Sequence, residues 1–387
     1  MPSCASRPAK PNLFGRTLRG LQRIAAEAGL PPYAGRQMAR WLYVQQVDSF
    51  QAMSNLPERA RAWLAERYVL RVQAPIFEAQ SRDLTRKYLF PAAGRFVEAA
   101  FIPEGRRATL CLSVQVGCRM GCRFCQTGRQ GFQGNLDSGE ILNQVRSLPE
   151  RERLTNLVYM GMGEPLDNLD AVLDSLEILT ADYGCGLSPA RITVSTVGLL
   201  PALLRLLDCG LCHVAVSLHS PFEEERRRLM PVEEAHPLRE VLKALRRRRS
   251  GARRRVSFEY ILFDRLNDSP RHARELARIL QGIPCRINLI PFHPIPGSAL
   301  KPSPLDRIED FQARLRSSGY IATLRKSRGL DIEAACGLLS TRKLAESRGL
   351  AEPVAFSESQ GGAQQGGEVS VEGGEGLPAT CSDPRTD

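Results

Sequence analysis

Six short apolar runs, at residues 110–116, 156–160, 191–196, 213–218, 256–262 and 286–291, alternate with stretches of helical periodicity. Parallel strands need long crossovers, and a helix is the usual crossover. The alternation therefore predicts βα units and a parallel sheet, in an α/β chain. Six units predict a partial (β/α)6 barrel over residues 109–346. In barrels of this kind the chemistry sits at the C-terminal ends of the strands. The polar groups expected there are Gly163 and Glu164 after the second strand, Ser195 at the third, Ser217, Leu218 and His219 at the fourth, and His293 after the sixth.

Upstream, residues 14–68 carry helical spacing, with Leu18, Leu21, Ile24 and Ala25 on one face and Pro57 as a first-turn residue. Residues 1–69 are read as a basic helical module, either for RNA binding or only a cap on the next domain. Residues 70–108 read as linking strands, with alternation around 87–90 and 96–102. The last segment, 347–387, is rich in Gly, Gln, Glu and Ser, and is expected to be a disordered acidic tail. Its seven acids against one base in 349–387 leave residues 1–348 at +17 within a whole-chain charge of +11. A body that basic points to a polyanionic partner such as nucleic acid.

Eleven cysteines, an odd number, do not form a disulfide framework. No apolar run is long enough for a membrane span and no signal-type segment opens the chain, so a cytoplasmic protein is expected. Cys118, Cys122 and Cys125 are spaced C-x3-C-x2-C with no fourth cysteine close by. Three thiolates suit a [4Fe-4S] cluster whose fourth iron stays open for a ligand. A zinc knuckle that recruited Cys209, Cys212 and His213 is the competing reading, and the apolar run around Cys212 speaks against it.

Several motifs stand in order along the chain: Cys111; Cys118 to Cys125 followed by Gln126-Thr127-Gly128; Met162-Gly163-Glu164-Pro165; Ser195-Thr196; Ser217-Leu218-His219; Asn288-Leu289-Ile290-Pro291; and Ala334-Ala335-Cys336-Gly337. Together they resemble the RlmN type of radical S-adenosylmethionine (SAM) RNA methyltransferase, over about residues 14–345. The resemblance implies methylation of adenosine C2 in 23S rRNA, with transfer RNA beside the anticodon as a second substrate. It implies SAM and a [4Fe-4S] cluster as cofactors, an electron donor such as flavodoxin or ferredoxin, and a monomer. Adenine C2 is electrophilic and cannot attack SAM directly, which is why a radical route is needed. By the resemblance, Cys336 carries the methyl group, Cys111 resolves the RNA adduct by forming a disulfide, and Glu98 accepts the proton from C2. Gly163, Glu164, Ser195, Ser217, Leu218 and His219 match SAM contacts. Two departures stand out. Phe292-His293 replaces an aromatic followed by Asn, and Leu84 stands in a turn where the family tends to have Gly. Methylation at adenosine C8 and a non-catalytic iron–sulfur RNA-binding protein are the rival readings.

Overall fold

The computed structural model describes residues 10–248, 256–335 and 337–339. Cys336 and the acidic tail of the sequence reading lie outside these residues, as do Arg249 and the arginines at 253–255. The strands are β1 (Phe77–Gln80), β2 (Arg86–Ala92), β3 (Arg95–Glu104), β4 (Arg107–Cys111), β5 (Gln115–Val116), β6 (Gly134–Asn135), β7 (Asn156–Tyr159), β8 (Ile192–Thr196), β9 (His213–Ser217), β10 (Val256–Leu262), β11 (Cys285–Pro291) and β12 (Ile321–Leu324). Ten of them form one open sheet in the order β1-β2-β3-β4-β7-β8-β9-β10-β11-β12, while β5 and β6 pair separately. The meander β1 to β4 is antiparallel, and every pairing from β4 to β12 is parallel.

The parallel part has seven strands, one more than the sequence reading. The extra one, β12, is four residues long at the sheet edge, with Ile321 exposed, so it lacks the apolar run that marked the others. The run at 110–116 is not one strand. The chain leaves the sheet after Cys111, where the Ser113 N–H donates to Gln144 Oε1 (2.9 Å), and rejoins a ladder only as β5. Pro57 stands one place earlier than expected, as the cap before the helix Glu58–Arg67.

Register explains where a site can form. Paired residues share a face, and alternate residues along a strand return to it. One face of the sheet carries Tyr88, Phe101, Leu110, Leu157, Val194, Val216, Phe258 and Leu289, all buried in the main core. The other carries Glu98, Cys111, Thr193, Ser195, Ser217, Glu259, Asn288 and Thr323. A parallel sheet covered on both sides would be apolar on both. The polar face instead lines a cavity of ≈ 700 Å³, whose walls run from Ile102 and Cys111 to Thr323, so the sheet curls around it.

The N-terminal helices Leu18–Glu27, Ala34–Ala39 and Glu58–Arg67 bury Leu21, Ile24, Ala25, Met38 and Leu64. Ala34–Ala39 runs on into a π-turn, Arg40–Val44, which buries Tyr43. Thr17 caps the first helix by accepting from Gly20 N. Among the described residues, no helix is long and apolar enough to cross a membrane.

Candidate active site

Cys118, Cys122 and Cys125 lie on the loop between β5 and the short helix Gln126–Gln130, and Cys125 stands at that helix's cap position. Glycine is required at the foot of this loop. Gly117 has φ +72°, and a Cβ there would stand 1.6 Å from the Gly131 carbonyl oxygen. The loop is pinned from outside by Arg123 N donating to Leu229 O (3.0 Å) and from within by Cys125 N donating to Cys122 O (3.1 Å). Cys122 and Phe124 pack with Val197, Leu229, Met230 and Phe263.

Burial pushes the Cys118 thiol up to about 12; a hydrogen bond with the Met120 backbone works against this, and the charges of Glu164, Cys125 and Asp167 add to it. Burial likewise drives Cys122 well above its ordinary value, and the charges of Cys125 and Cys118 push it further. Such thiols do not ionise unaided, but a coordinating metal deprotonates a thiol outright. Among the described residues no three His, Cys, Asp or Glu converge as the ligands of one metal ion. The fit to a multi-iron cluster is one of donor chemistry: three soft sulfurs on a single loop, in a largely apolar pocket, that stay protonated until a metal takes the place of their protons. Cys209, of the alternative zinc set, donates its Sγ–H to Leu206 O (2.9 Å), and Cys212 is buried in the main core.

Gly163 and Glu164 follow β7. Gly163 has φ +98°, and a Cβ would meet Gln115 Cβ at 2.5 Å. The buried Glu164 carboxylate takes Leu166 N (3.0 Å) and the Thr196 hydroxyl (2.6 Å) on Oε1, and Val197 N (3.0 Å) on Oε2. It thereby ties the loop after β7 to the end of β8. Burial outweighs these donors and raises its pKa to about 7.

Ser195 and Ser217 sit half-buried on the cavity-side face of β8 and β9. The chain then turns at His219, whose φ is +58°. Its Nδ1 accepts from Ile261 N (3.0 Å), so the ring proton is on Nε2. Burial, then the nearby Arg226 charge, lower its pKa to about 3, which keeps the ring neutral. His293 lines the cavity and lies 2.8 Å from Ser327 Oγ through Nε2.

Arg226 was not legible as a site residue. It lies in the run Glu223-Glu224-Glu225-Arg226-Arg227-Arg228, which reads as a solvated helix. The one signal was its spacing from Phe222 and Leu229, which puts it on the apolar face. It is fully buried and ion-paired to Glu233. It donates to the carbonyls of Val197 (3.1 Å), Ser217 (3.0 Å) and Leu218 (3.1 Å), clamping the ends of β8 and β9 together.

Cys111 lies directly opposite Ala100 in the β3–β4 ladder and faces the cavity. Ala100, Cys111, Val158 and Ala334 form one small buried cluster. Past residue 336, Gly337 O accepts from Gln126 N (2.7 Å) and Leu339 O accepts from the Thr127 hydroxyl (2.7 Å). The residues on either side of Cys336 are thus held at Cys111 on one side and at the cysteine loop on the other. Glu98, on the same face as Cys111, is fully buried with Lys87 Nζ at 3.1 Å from Oε1. Glu98 does not line the cavity, and neither do Ser195, Ser217, Glu164 or the three loop cysteines.

The turn at 81–85 docks the segment before Cys336. Asp331 accepts from Ser81 Oγ (2.5 Å) and Arg82 N (3.1 Å), and Asp83 accepts from Gly329 N (2.9 Å). The tight turn forms without glycine: Leu84 takes φ +68° with its side chain in solvent.

An open α/β sheet with a three-cysteine loop after its first parallel strand defines the class, and the pattern of the Radical SAM superfamily matches residues 112–277. A second pattern, the ribosomal RNA large subunit methyltransferase N-terminal domain, matches residues 11–70. The chain belongs to the RlmN family of radical SAM RNA methyltransferases. It is 56% identical over 337 residues to a probable dual-specificity RNA methyltransferase RlmN of Porphyromonas gingivalis, covering 87% of this chain and 95% of that protein. The corresponding protein of Parabacteroides distasonis is 51% identical, covering 86% and 98%. A crystal structure of a radical SAM methyltransferase from Sphaerobacter thermophilus superposes with a TM-score of 0.78 at 41% identity, covering 85% of this chain and 99% of that one.

Proposed function

We propose that this protein methylates C2 of adenosine in 23S rRNA, and in transfer RNA beside the anticodon, through a methyl group carried on Cys336. The observation that carries the reading is the placement of the chain around Cys336. Ala334 packs on Cys111, while Gly337 and Leu339 are hydrogen-bonded to the residues that follow Cys125.

In this reading Cys118, Cys122 and Cys125 hold a [4Fe-4S] cluster with one iron open to SAM. When bound, the cluster and SAM supply the one-electron chemistry that activates the carried methyl, which polar transfer to C2 cannot do. The protein's own groups do the rest. Glu164 Oε2 accepts the Val197 N–H and, as a carboxylate oxygen with a second lone pair, would accept the SAM ammonium. Gly163, Ser195, Ser217, Leu218, His219 and His293 would hold the rest of SAM, and neutral His219 would offer its Nε2–H as a donor. Glu98, with the Lys87 ammonium as counter-charge, is the anion that takes the C2 proton. The Cys111 thiolate attacks the Cys336 sulfur, the sulfur–carbon bond to the RNA adduct breaks with its electron pair going to the carbon, that carbon takes up a proton to become the methyl group, and the methylated base leaves. The resulting disulfide is reduced by an external dithiol before the next turnover. The electron for SAM comes from a small redox protein such as flavodoxin or ferredoxin.

Mass mapping of RNA after reaction tests this. A methyl on adenosine C2 is expected. A methyl on C8, or RNA bound with no methyl gained, would replace the reading with one of its rivals.

A further inference from the structure

The cavity that Cys111 lines also carries polar groups that the proposed chemistry does not use. Glu259, in the middle of β10, is buried (3% exposed) and lines the cavity. Its Oε1 accepts from Asn288 Nδ2 (2.7 Å) and from Ser257 Oγ (3.1 Å). Asn288 Oδ1 in turn accepts from the Thr323 hydroxyl (2.6 Å). The bonds at its two ends fix which way the Asn288 amide points. All these donors converge on Oε1. The buried Oε2 has no hydrogen-bond donor among the described residues. Arg325 Nη1 is ion-paired with it at 3.7 Å, beyond hydrogen-bond reach. A buried carboxylate oxygen without a donor calls for an explanation, and a ligand that brings an N–H is one.

We propose that Glu259 is a specificity-determining residue that accepts the exocyclic amino group of the target adenine. This rests on the proposed function. Adenine presents a 6-amino donor where hypoxanthine and guanine present an O6 acceptor. A carboxylate oxygen there attracts the first and repels the other two. The cavity is the size of ordinary small-ligand sites, and it holds both Glu259 and Cys111. A base anchored by its amine at Glu259 lies in the cavity that Cys111 also lines. Arg286, Arg325, Lys326 and Arg328 at the same cavity suit the phosphates flanking a base turned out of its stack.

The test compares binding of two RNA hairpins by the full-length protein, one with adenosine and one with inosine at the target position. Wild type is expected to prefer adenosine by ~10-fold or more. In Glu259→Gln the amide carbonyl takes the place of Oε1, because Asn288 and Ser257 both donate there. The amide N–H then faces the cavity, so the preference for adenosine disappears or reverses. SAM affinity, measured in the same preparations, is expected to stay unchanged, since SAM also contains an adenine. Glu259→Asp withdraws the carboxylate without inverting it and serves if the Gln variant does not fold, with a weakened preference expected. The proposal is overturned if wild type binds both RNAs equally, if Glu259→Gln keeps the wild-type preference, or if the substitution lowers SAM affinity ~10-fold while leaving the base preference intact. RNA that is bound and methylated without base preference overturns this assignment alone. RNA that does not bind at all overturns the proposed function with it.

Discussion

The ring of Phe124 stands edge-on to the imidazole of His219, centroids 4.7 Å apart at 73°. Phe124 lies between two of the loop cysteines, and His219 ends the turn after β9. This contact joins the cysteine loop to the strand ends that carry the candidate SAM contacts. Asn267 holds the other side of that turn, donating to His219 O (2.6 Å) and Ile261 O (2.7 Å). The site is therefore positioned by buried neutral and paired groups, whose removal has definite consequences.

His219 is expected to impose a pH dependence on folding. Its folded pKa of about 3 lies below the 6.5 of the free side chain, so the unfolded chain binds the extra proton between those values. The contribution is fully present above pH 6.5 and is lost as pH falls toward 3. Urea unfolding between pH 4.5 and 6.5 should show wild-type stability falling by up to about 1.4 kcal/mol per pH unit faster than in His219→Asn, which tolerates the positive φ and keeps an acceptor. Parallel slopes would mean that the ring is not buried neutral.

Arg226→Met should destabilise the fold by about 3–5 kcal/mol, because it strands Glu233 as a buried unpaired carboxylate and frees three carbonyls. Adding Glu233→Met to Arg226→Met should recover much of that stability. It should not recover SAM binding, since the carbonyls at the ends of β8 and β9 still lack their clamp. Full recovery of both would make Arg226 a matter of stability alone.

The parallel strands from β7 to β11 were legible because each is an apolar run between helices, and the three cysteines were legible as a group because their short spacing puts them on one loop. Other features were not. Nothing local marks β12, whose four residues sit at an edge. Lys87 and Glu98 each read as a strand residue, and only the β2–β3 register brings them together. Arg226 differs from Arg227 and Arg228 only in its spacing from Phe222 and Leu229, and only the docked helix Glu223–Leu229 turns that spacing into burial. The polar chain Ser257–Glu259–Asn288–Thr323 joins residues far apart in sequence that become neighbours only when β10, β11 and β12 align.

Leu84 offers a local test of strain. A non-glycine residue at φ +68° costs ~1 kcal/mol, partly offset when glycine loosens the unfolded chain. With its side chain in solvent, Leu84→Gly should stabilise the protein by about 0.5 kcal/mol. Thermal or urea unfolding that shows a loss instead would mean that the leucine side chain makes a contact worth more than the strain.

Iron content bears on the loop directly. After anaerobic reconstitution the wild-type protein should hold iron and sulfide in equal amounts, and Cys118→Ala/Cys122→Ala/Cys125→Ala should hold neither while keeping its fold. Stoichiometric zinc without iron in strictly anaerobic preparations would contradict the cluster.

In the proposed reaction Cys111 and Cys336 act as a pair, one resolving what the other has attached. The most direct measurement is a denaturing gel of Cys111→Ala after reaction with RNA. A covalent protein–RNA species should accumulate, because the adduct forms on Cys336 and has no thiol to release it, and it should vanish when Cys336→Ala is added. Cys111→Ala that turns over like wild type and leaves no covalent species would contradict the account.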